Sequence, residues 1–440
     1  MSQETSWVFG AEGGCADRPV VSSEAVTVTS AAASEQSADA VLGTTRGLCI
    51  SYMQGPRTFL SHGLSPAIVA AVPTSDLTGT PAERTAQLLR QQGEACRDIG
   101  SPLYGDLLGH SADDLLAGGP VADVLADHLD ARPAGVLALR MLGGAHALAL
   151  SGQAPGLAEW YPSAGGSLDP VPGSPNAWNA LQCTLAEQRD EVRRWLDWPP
   201  QTNEVGRAAA LIGGLLSMTA QEHMPLRLVE VGASAGLNLR ADQFYVPGDS
   251  GSYGDPQSPV VLSHGWQGGV PPAGHLEVVE RTGGDLAPID PATEHGQLTL
   301  TAYVWPDQAD RIARLRGALA VAQRVPADLR SESATTTVER TRLATGTWTV
   351  LWHSIFRQYL NPDQRVELAD GVGRLAAGAT SQARFAYLYL EQSRAGGCPV
   401  TLTTWPGGHR EVLGTASPHG IPVSWRETLG SDHALGVSGM

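Results

Sequence analysis

The chain of 440 residues contains no lysine, so all 29 of its basic residues are arginine. This excludes mechanisms that need a lysine amine. A pyridoxal phosphate or other Schiff-base enzyme has nothing with which to form its imine, and a Walker A loop has no ammonium for the phosphates. Cysteine is also scarce. Cys15, Cys49, Cys96, Cys183 and Cys398 are scattered without a C-x-x-C spacing, and the 12 histidines form neither an H-x-x-x-H pair nor a mixed cluster with cysteine. That pattern argues against a zinc site, a disulfide scaffold and any other bound metal, and reads as buried thiols. Positive charge is outnumbered as well, 29 basic residues against 45 acidic, for a net charge of -16. Phosphate backbones and anionic membranes are held by clustered cations, so no nucleic acid and no membrane are expected as partners. An amine-bearing small molecule suits the chain better. No apolar segment reaches the roughly 18 residues of a membrane span. The first thirty residues lack a basic region followed by an apolar core, and a cytoplasmic protein is expected.

What is present is organised around Leu226–Leu239. An apolar run ends in Glu230-Val231 and is followed by the small residues Gly232, Ala233, Ser234, Ala235 and Gly236, then by Leu237-Asn238-Leu239. The run reads as a buried parallel strand. The bare turn leaves backbone N–H groups at the next helix start free to face a ligand, as in a nucleotide-binding βα unit. Its spacing, Glu-x-Gly-x-Ser-x-Gly, fits the glycine-rich loop of S-adenosylmethionine (SAM) methyltransferases better than the dinucleotide fingerprint. It also has the form of a G-x-S-x-G nucleophile elbow, with His353 or His409 following in hydrolase order.

The length suggests two or three units. Residues 1–80 read as an irregular arm, either a flexible tail or a partner-docking segment. Residues 81–200 read as a helical domain, with helices from Thr80 to about Arg97, Ser111 to Ala117, Val121 to Leu129, Pro133 to Leu150 and Ser174 to Trp198. Pro199-Pro200 ends it. The polar stretch Gln201-Thr202-Asn203-Glu204-Val205-Gly206-Arg207 then precedes a long apolar helix, an arrangement better suited to facing a ligand than to packing alone. Residues 201–440 alternate strands and helices as a doubly wound sheet does, with strands at Leu226–Val231, Leu276–Arg281, Thr347–Trp352, Phe385–Leu390 and Val400–Thr404, a short edge at Ala327–Ser331, and a helix capped by Asp307.

Taken in order, Ser101-Pro102-Leu103-Tyr104, Gln201-Thr202-Asn203-Glu204, Glu230 through Leu239, Asp285-Leu286-Ala287-Pro288-Ile289-Asp290, Tyr303-Val304-Trp305-Pro306-Asp307-Gln308, His353-Ser354 with Tyr359-Leu360, and Trp405-Pro406-Gly407-Gly408 resemble the bacterial family catalogued as domain of unknown function 2332. The resemblance covers about residues 85–428. It implies an α/β, SAM-methyltransferase-like (Rossmann-like) sheet behind an amino-terminal helical domain. The family carries no settled activity, so what is implied is fold more than function. Against a standard SAM site Glu230 and the turn match, but Ser234 replaces a glycine. Asp285 stands 49 residues beyond Gly236, where a ribose-binding acid is usual about 20 residues on.

Two enzyme readings and one other follow. In one, SAM is the cofactor, held by Gly232, Ala233, Ser234, Ala235, Gly236 and Asn238, and a small molecule is methylated. In the other there is no cofactor, and the substrate's own amine displaces an internal anionic leaving group, closing an aziridine-type ring. The second is similar to the aziridine-forming step of azinomycin-type antibiotic pathways, and that resemblance implies a small protein partner. Strand-end residues would carry the chemistry. Glu230 and Asp285 hold the substrate ammonium, and His353 removes its proton. Gln201, Asn203, Glu204, Arg207, Arg281, Trp305 and Asp307 line the substrate, with Arg207 or Arg281 gripping the leaving group. The third reading is a non-catalytic binding or scaffold protein.

Overall fold

Thr80 opens the first helix as its sequence dictates. Its side chain accepts from the Glu83 amide while Glu83 Oε2 accepts from the Thr80 amide at 2.7 Å, a capping box, and Pro81 takes the first helical position. Such a cap stabilises by about 1 kcal/mol. The computed structural model describes residues 79–426, apart from 130–133, 169–175, 199, 249–250 and 394–395, so all but the last two residues of the expected arm lie outside the described residues.

Helices α1 (Pro81–Asp98), α2 (Pro102–Ala117), α3 (Pro120–Leu125), α4 (Ala134–Leu150), α5 (Pro155–Ala158), α6 (Ala177–Glu187) and α7 (Arg189–Leu196) come first. They bury a core of their own that includes Leu89, Tyr104, Leu108, Leu142 and Leu181. Helix α3 ends at Leu125 rather than Leu129, α5 went unforeseen, and two further segments differ from expectation. The helix expected from Ser174 to Trp198 is two helices broken at Gln188, and the cap of α6 is Asn176, whose Oδ1 accepts from the Asn179 amide at 2.8 Å. Helix α2 starts at Pro102 rather than Ser111, because Ser101-Pro102 is the same cap-and-proline signal as Thr80-Pro81.

A 3₁₀ turn over Val205–Arg207 leads into α8 (Ala208–Thr219), in which every residue except Ser217 is buried. A helix apolar all round belongs inside. Its Gly214 lies against the sheet so closely that a Cβ there would come within 2.5 Å of Leu388 Cδ2.

The remaining elements are β1 (Leu226–Val231), β2 (Trp266–Gly268), β3 (Val278–Asp285), α9 (Glu294–Ala302), α10 (Ala309–Ala322), β4 (Asp328–Ser331), α11 (Ala334–Arg340), β5 (Thr347–Ser354), α12 (Pro362–Gly378), β6 (Ala383–Leu390), β7 (Cys398–Trp405), β8 (His409–Ala416) and β9 (Val423–Trp425). They build a nine-stranded sheet in the order β2-β9-β8-β7-β6-β5-β1-β3-β4. The half from β6 to β4 is parallel, and β7, β8 and β9 continue it as an antiparallel meander. Val350, Trp352 and Leu388 face the core shared with α8 and α10, and Val229, Leu351 and Phe385 face the core under α11 and α12. The chain leaves β1 toward β3 and β4 and then returns to β5 on the other side of β1. That reversal puts a topological switch point at the carboxyl ends of β1 and β5, the edge where open α/β sheets bind their ligands. No helix among the described residues is long and apolar enough to cross a membrane.

After β1 the expected helix is replaced by a kinked 3₁₀ turn, Leu237–Gln243, whose Arg240 leaves helical geometry at φ −107°. Strand β3 runs later than the expected Leu276–Arg281, so that Asp285 is its last residue. Strands β2, β8 and β9 went unforeseen. β8 starts with charged His409-Arg410-Glu411 and carries Gly414 inside it, which hides its alternation.

Candidate active site

The turn after β1 is held in left-handed backbone at alternate residues, with φ 70° at Gly232, 51° at Ser234 and 63° at Gly236. Glycine removes the cost at two of them. At Gly232 space is limiting too, since a Cβ would meet Phe356 Cδ2 at 2.2 Å. Five N–H groups of this turn, expected to face a ligand, are engaged inside the protein. Those of Gly232 and Ala233 donate to Gly284 O, that of Gly236 to Ala233 O, that of Ser234 to Asp285 Oδ2 at 2.9 Å and that of Leu237 to Asn203 Oδ1 at 2.8 Å. Asp285, expected at the substrate, instead holds the backbone of two turns. Its other oxygen accepts the Ala287 amide at 2.9 Å.

Next to this turn β5 ends in a second strained one. Ile355 has φ 49° and is 2% exposed. A β-branched residue in the left-handed region is an outlier that stores about 1–3 kcal/mol. Glu391, just past β6, fixes the turn from below. Its Oε1 accepts from the amides of Phe356 (2.8 Å) and Arg357 (3.2 Å) and from His353 Nδ1 (2.7 Å). Burial raises the Glu391 carboxyl, but these donors and the His353 ring outweigh it and hold it below its usual range. The fully buried His353 also engages Tyr387 Oη through Nε2 at 2.7 Å. With both ring nitrogens engaged, it has none to offer a substrate directly.

Glu230 is the exception to this internal satisfaction. It is 2% exposed, and its Oε2 has no hydrogen-bond partner. Burial pushes its carboxyl up to about 8, and Asp285 adds to the rise, while the Trp352 indole N–H, Arg207 and Arg240 oppose it. The indole N–H that opposes the rise at Glu230 has no other partner, so Trp352 Nε1 and Glu230 Oε2 are left to each other. Ser234 Oγ and Asn238 Oδ1, in the adjoining turn, are likewise buried and unpartnered. Buried polar atoms are almost always paired. Four of the fourteen such atoms among the described residues lie on this turn and the strand ends beside it, which makes it the candidate place for a ligand or ordered water.

Part of the Gln201–Arg207 segment arrives here as expected. Besides Asn203 on Leu237, the Glu204 carbonyl accepts from Asn238 Nδ2 at 3.3 Å. The buried Glu204 carboxylate meets Arg311 (Nη2 at 2.7 Å) and His419 (Nδ1 at 3.3 Å). Burial alone would raise it, but Arg311, His419 and Arg207 hold it well below the usual carboxylate range. Arg207 donates through Nε to Pro418 O at 2.9 Å and through Nη1 to Ser354 O at 3.3 Å, leaving Nη2 without a partner among the described residues. Gln201 is half-buried and makes no side-chain hydrogen bond among the described residues.

Three expected substrate residues lie elsewhere. Arg281 sits in mid-strand, paired at 2.6 Å with the buried Asp242. Trp305 is packed in the helical core, its ring 5.9 Å from that of Tyr104. Asp307 does not cap its own helix, which starts from Gln308 without a side-chain cap. It accepts from Ser101 Oγ (2.6 Å) and the Leu103 amide (3.1 Å) at the start of α2, tying the helical part to the sheet. Conversely, Glu391 and Tyr387 went unforeseen. Glu391 closes β6 as Glu230 nearly closes β1, so the rule that singled out one acid at a strand end could have found the other. Among the described residues no three His, Cys, Asp or Glu side chains are grouped as metal ligands would be.

The model of domain of unknown function 2332, described as an uncharacterized protein conserved in bacteria, matches residues 86–425. The chain belongs to this family. The family 2332 match runs from inside α1 to the last residue of β9, so helices and sheet together are the family's unit. Compared with the curated proteins and with the solved structures, the chain matches none.

Proposed function

We propose that this family 2332 protein is a small-molecule enzyme in which Glu230 takes a proton from a substrate amine while that amine displaces an anionic leaving group within the same molecule. The observation that carries the reading is the buried Glu230 carboxyl at the sheet's switch point, whose Oε2 has no hydrogen-bond partner of strict geometry, with Trp352 Nε1, Ser234 Oγ and Asn238 Oδ1 beside it. An alkyl ammonium with pKa near ~10 cannot attack carbon until it loses its proton. A carboxyl raised to about 8 is a far better acceptor for that proton than an ordinary one. The nitrogen lone pair forms the new N–C bond, the bond from carbon to the leaving oxygen breaks with its electrons, and the proton passes to Glu230. The unpartnered Nη2 of Arg207 suits the departing sulfate or phosphate.

The residues do not fit SAM. Five turn amides are engaged internally and both Asp285 oxygens hold backbone, so no step is drawn through that cofactor. The run β4-β3-β1-β5-β6 is the one feature that favours methyl transfer, because it is the doubly wound order on which such enzymes are built. Micromolar SAM binding by calorimetry would put that reading first. The direct test uses 2-aminoethyl hydrogen sulfate, the smallest amine with such a leaving group on the neighbouring carbon. Sulfate release should fall by roughly 10²-fold or more in Glu230→Gln. Equal release by wild type and variant would reject Glu230 as the base.

A further inference from the structure

Alternation along a strand puts neighbouring residues on opposite faces, so His353 faces away from Glu230 and Trp352. On that other face it joins two groups that the reaction above does not use. Glu391 Oε1 already accepts two amides, so it is the acceptor from His353 Nδ1, and a neutral ring with its proton on Nδ1 has an acceptor at Nε2. In that neutral tautomer the Tyr387 hydroxyl, 2.7 Å from Nε2, donates to the ring. The chain hydroxyl, imidazole, carboxylate is the order in which a hydroxyl nucleophile is activated. Tyr389 stacks on the imidazole with ring centroids 5.5 Å apart at 5° and fixes its plane. Tyr387 is half-buried while His353 is fully buried, so the chain runs from the protein's surface inward.

The rim is cationic. The exposed Arg357 makes no side-chain hydrogen bond among the described residues; burial raises the Tyr387 hydroxyl above its usual range, so it needs a base to react, and the Arg357 charge opposes the rise. Arg410 Nη2 donates to Tyr389 Oη at 3.0 Å, and the Tyr387 and Tyr389 rings are 5.1 Å apart.

We infer that Tyr387 is the reacting hydroxyl of a second site, activated through His353 by Glu391, and that it takes the acyl or sulfonyl group of an anionic donor steered by Arg357. In the step Tyr387 Oη bonds to the electrophilic centre and the leaving group departs with its electron pair. The hydroxyl proton moves to His353 Nε2, and the imidazolium formed is held by the Glu391 carboxylate. His353 is the base of this step, and Glu391, which acts through it, is a positioning residue. The inference is independent of the Glu230 reading.

The test is covalent labelling of the full chain with 4-(fluorosulfonyl)benzoate, anionic, and with phenylmethanesulfonyl fluoride, neutral, each site's rate being read by peptide mass spectrometry. With either, the Tyr387 oxygen–sulfur bond forms as fluoride leaves. Tyr387 should label faster than every other tyrosine of the wild type. His353→Gln and Glu391→Gln should slow it by about 10²-fold while the other tyrosines keep their rates, which also reports that the variant is folded. Arg357→Gln should slow the benzoate alone. Labelling of Tyr387 no faster than the other tyrosines in the wild type would overturn the inference without any variant. So would an unchanged rate in a folded His353→Gln, and an unchanged benzoate preference in Arg357→Gln would remove the anionic donor.

Discussion

Replacing Glu230 by Gln keeps the shape of a buried side chain and removes its titration. In the unfolded chain this carboxyl titrates near 4.5, and in the folded protein burial holds it near 8. Between those values the native state keeps a proton that the unfolded state has lost, so the wild type loses stability as pH rises, by about 1.4 kcal/mol per pH unit from this group. Over the whole window the loss approaches roughly 5 kcal/mol as an upper bound. It is absent below the unfolded value and complete above the folded one. Glu230→Gln should therefore melt close to the wild type at pH 5 and clearly above it at pH 8.5, by several degrees. Melting curves of both proteins at half-unit steps measure this, and their difference cancels every other titrating group. Parallel curves across pH 5 to 8.5 would mean that Glu230 ionises normally, and the base assigned to the site would be lost.

Ser234→Gly relieves a left-handed residue and deletes a buried orphan hydroxyl. It should stabilise by about 0.5–1 kcal/mol in thermal or denaturant unfolding, and a loss of stability would show that the hydroxyl is paired. Gly232→Ala meets Phe356 at 2.2 Å in left-handed backbone and should cost about 1–3 kcal/mol by denaturant unfolding, whereas a neutral effect would mean the two turns are not in contact. Asp285→Asn weakens the acceptor of two amides and should cost about 1–2 kcal/mol. It should lower activity on the amine sulfate less than Glu230→Gln does, and the reverse order would return Asp285 to the chemistry. Asp307→Ala frees the start of α2 and should cost about 1–2 kcal/mol, seen as faster amide exchange over Pro102–Gly105.

The sequence showed its fold where pattern and physics coincide. The apolar run closed by Glu230 became β1, and Thr347–Trp352 became the core of β5, because a strand buried on both faces must be apolar throughout. The turn at Gly232–Gly236 was legible for the same reason, since small residues there admit left-handed backbone and close approach. Its use was not legible. Whether an amide faces a ligand depends on the acceptors that tertiary structure brings to it, here Asn203 from 34 residues upstream and Asp285 from 51 residues downstream. Arg281 and Trp305 were placed by nearness to a strand end, but the register of β3 and the packing of Tyr104 decide where such side chains go. His353 was found by its position and misassigned in its contacts, because Tyr387 and Glu391 reach it only through the pairing of β5 with β6.

The account rests on one carboxyl, and carbon-13 NMR of glutamate-labelled protein observes it. One side-chain carboxyl should titrate near pH 8, should be missing from Glu230→Gln, and should move to lower pH when 2-aminoethyl hydrogen sulfate places its ammonium beside it. A spectrum in which every glutamate titrates below pH 6, or in which the high-pH signal ignores the amine, would contradict it.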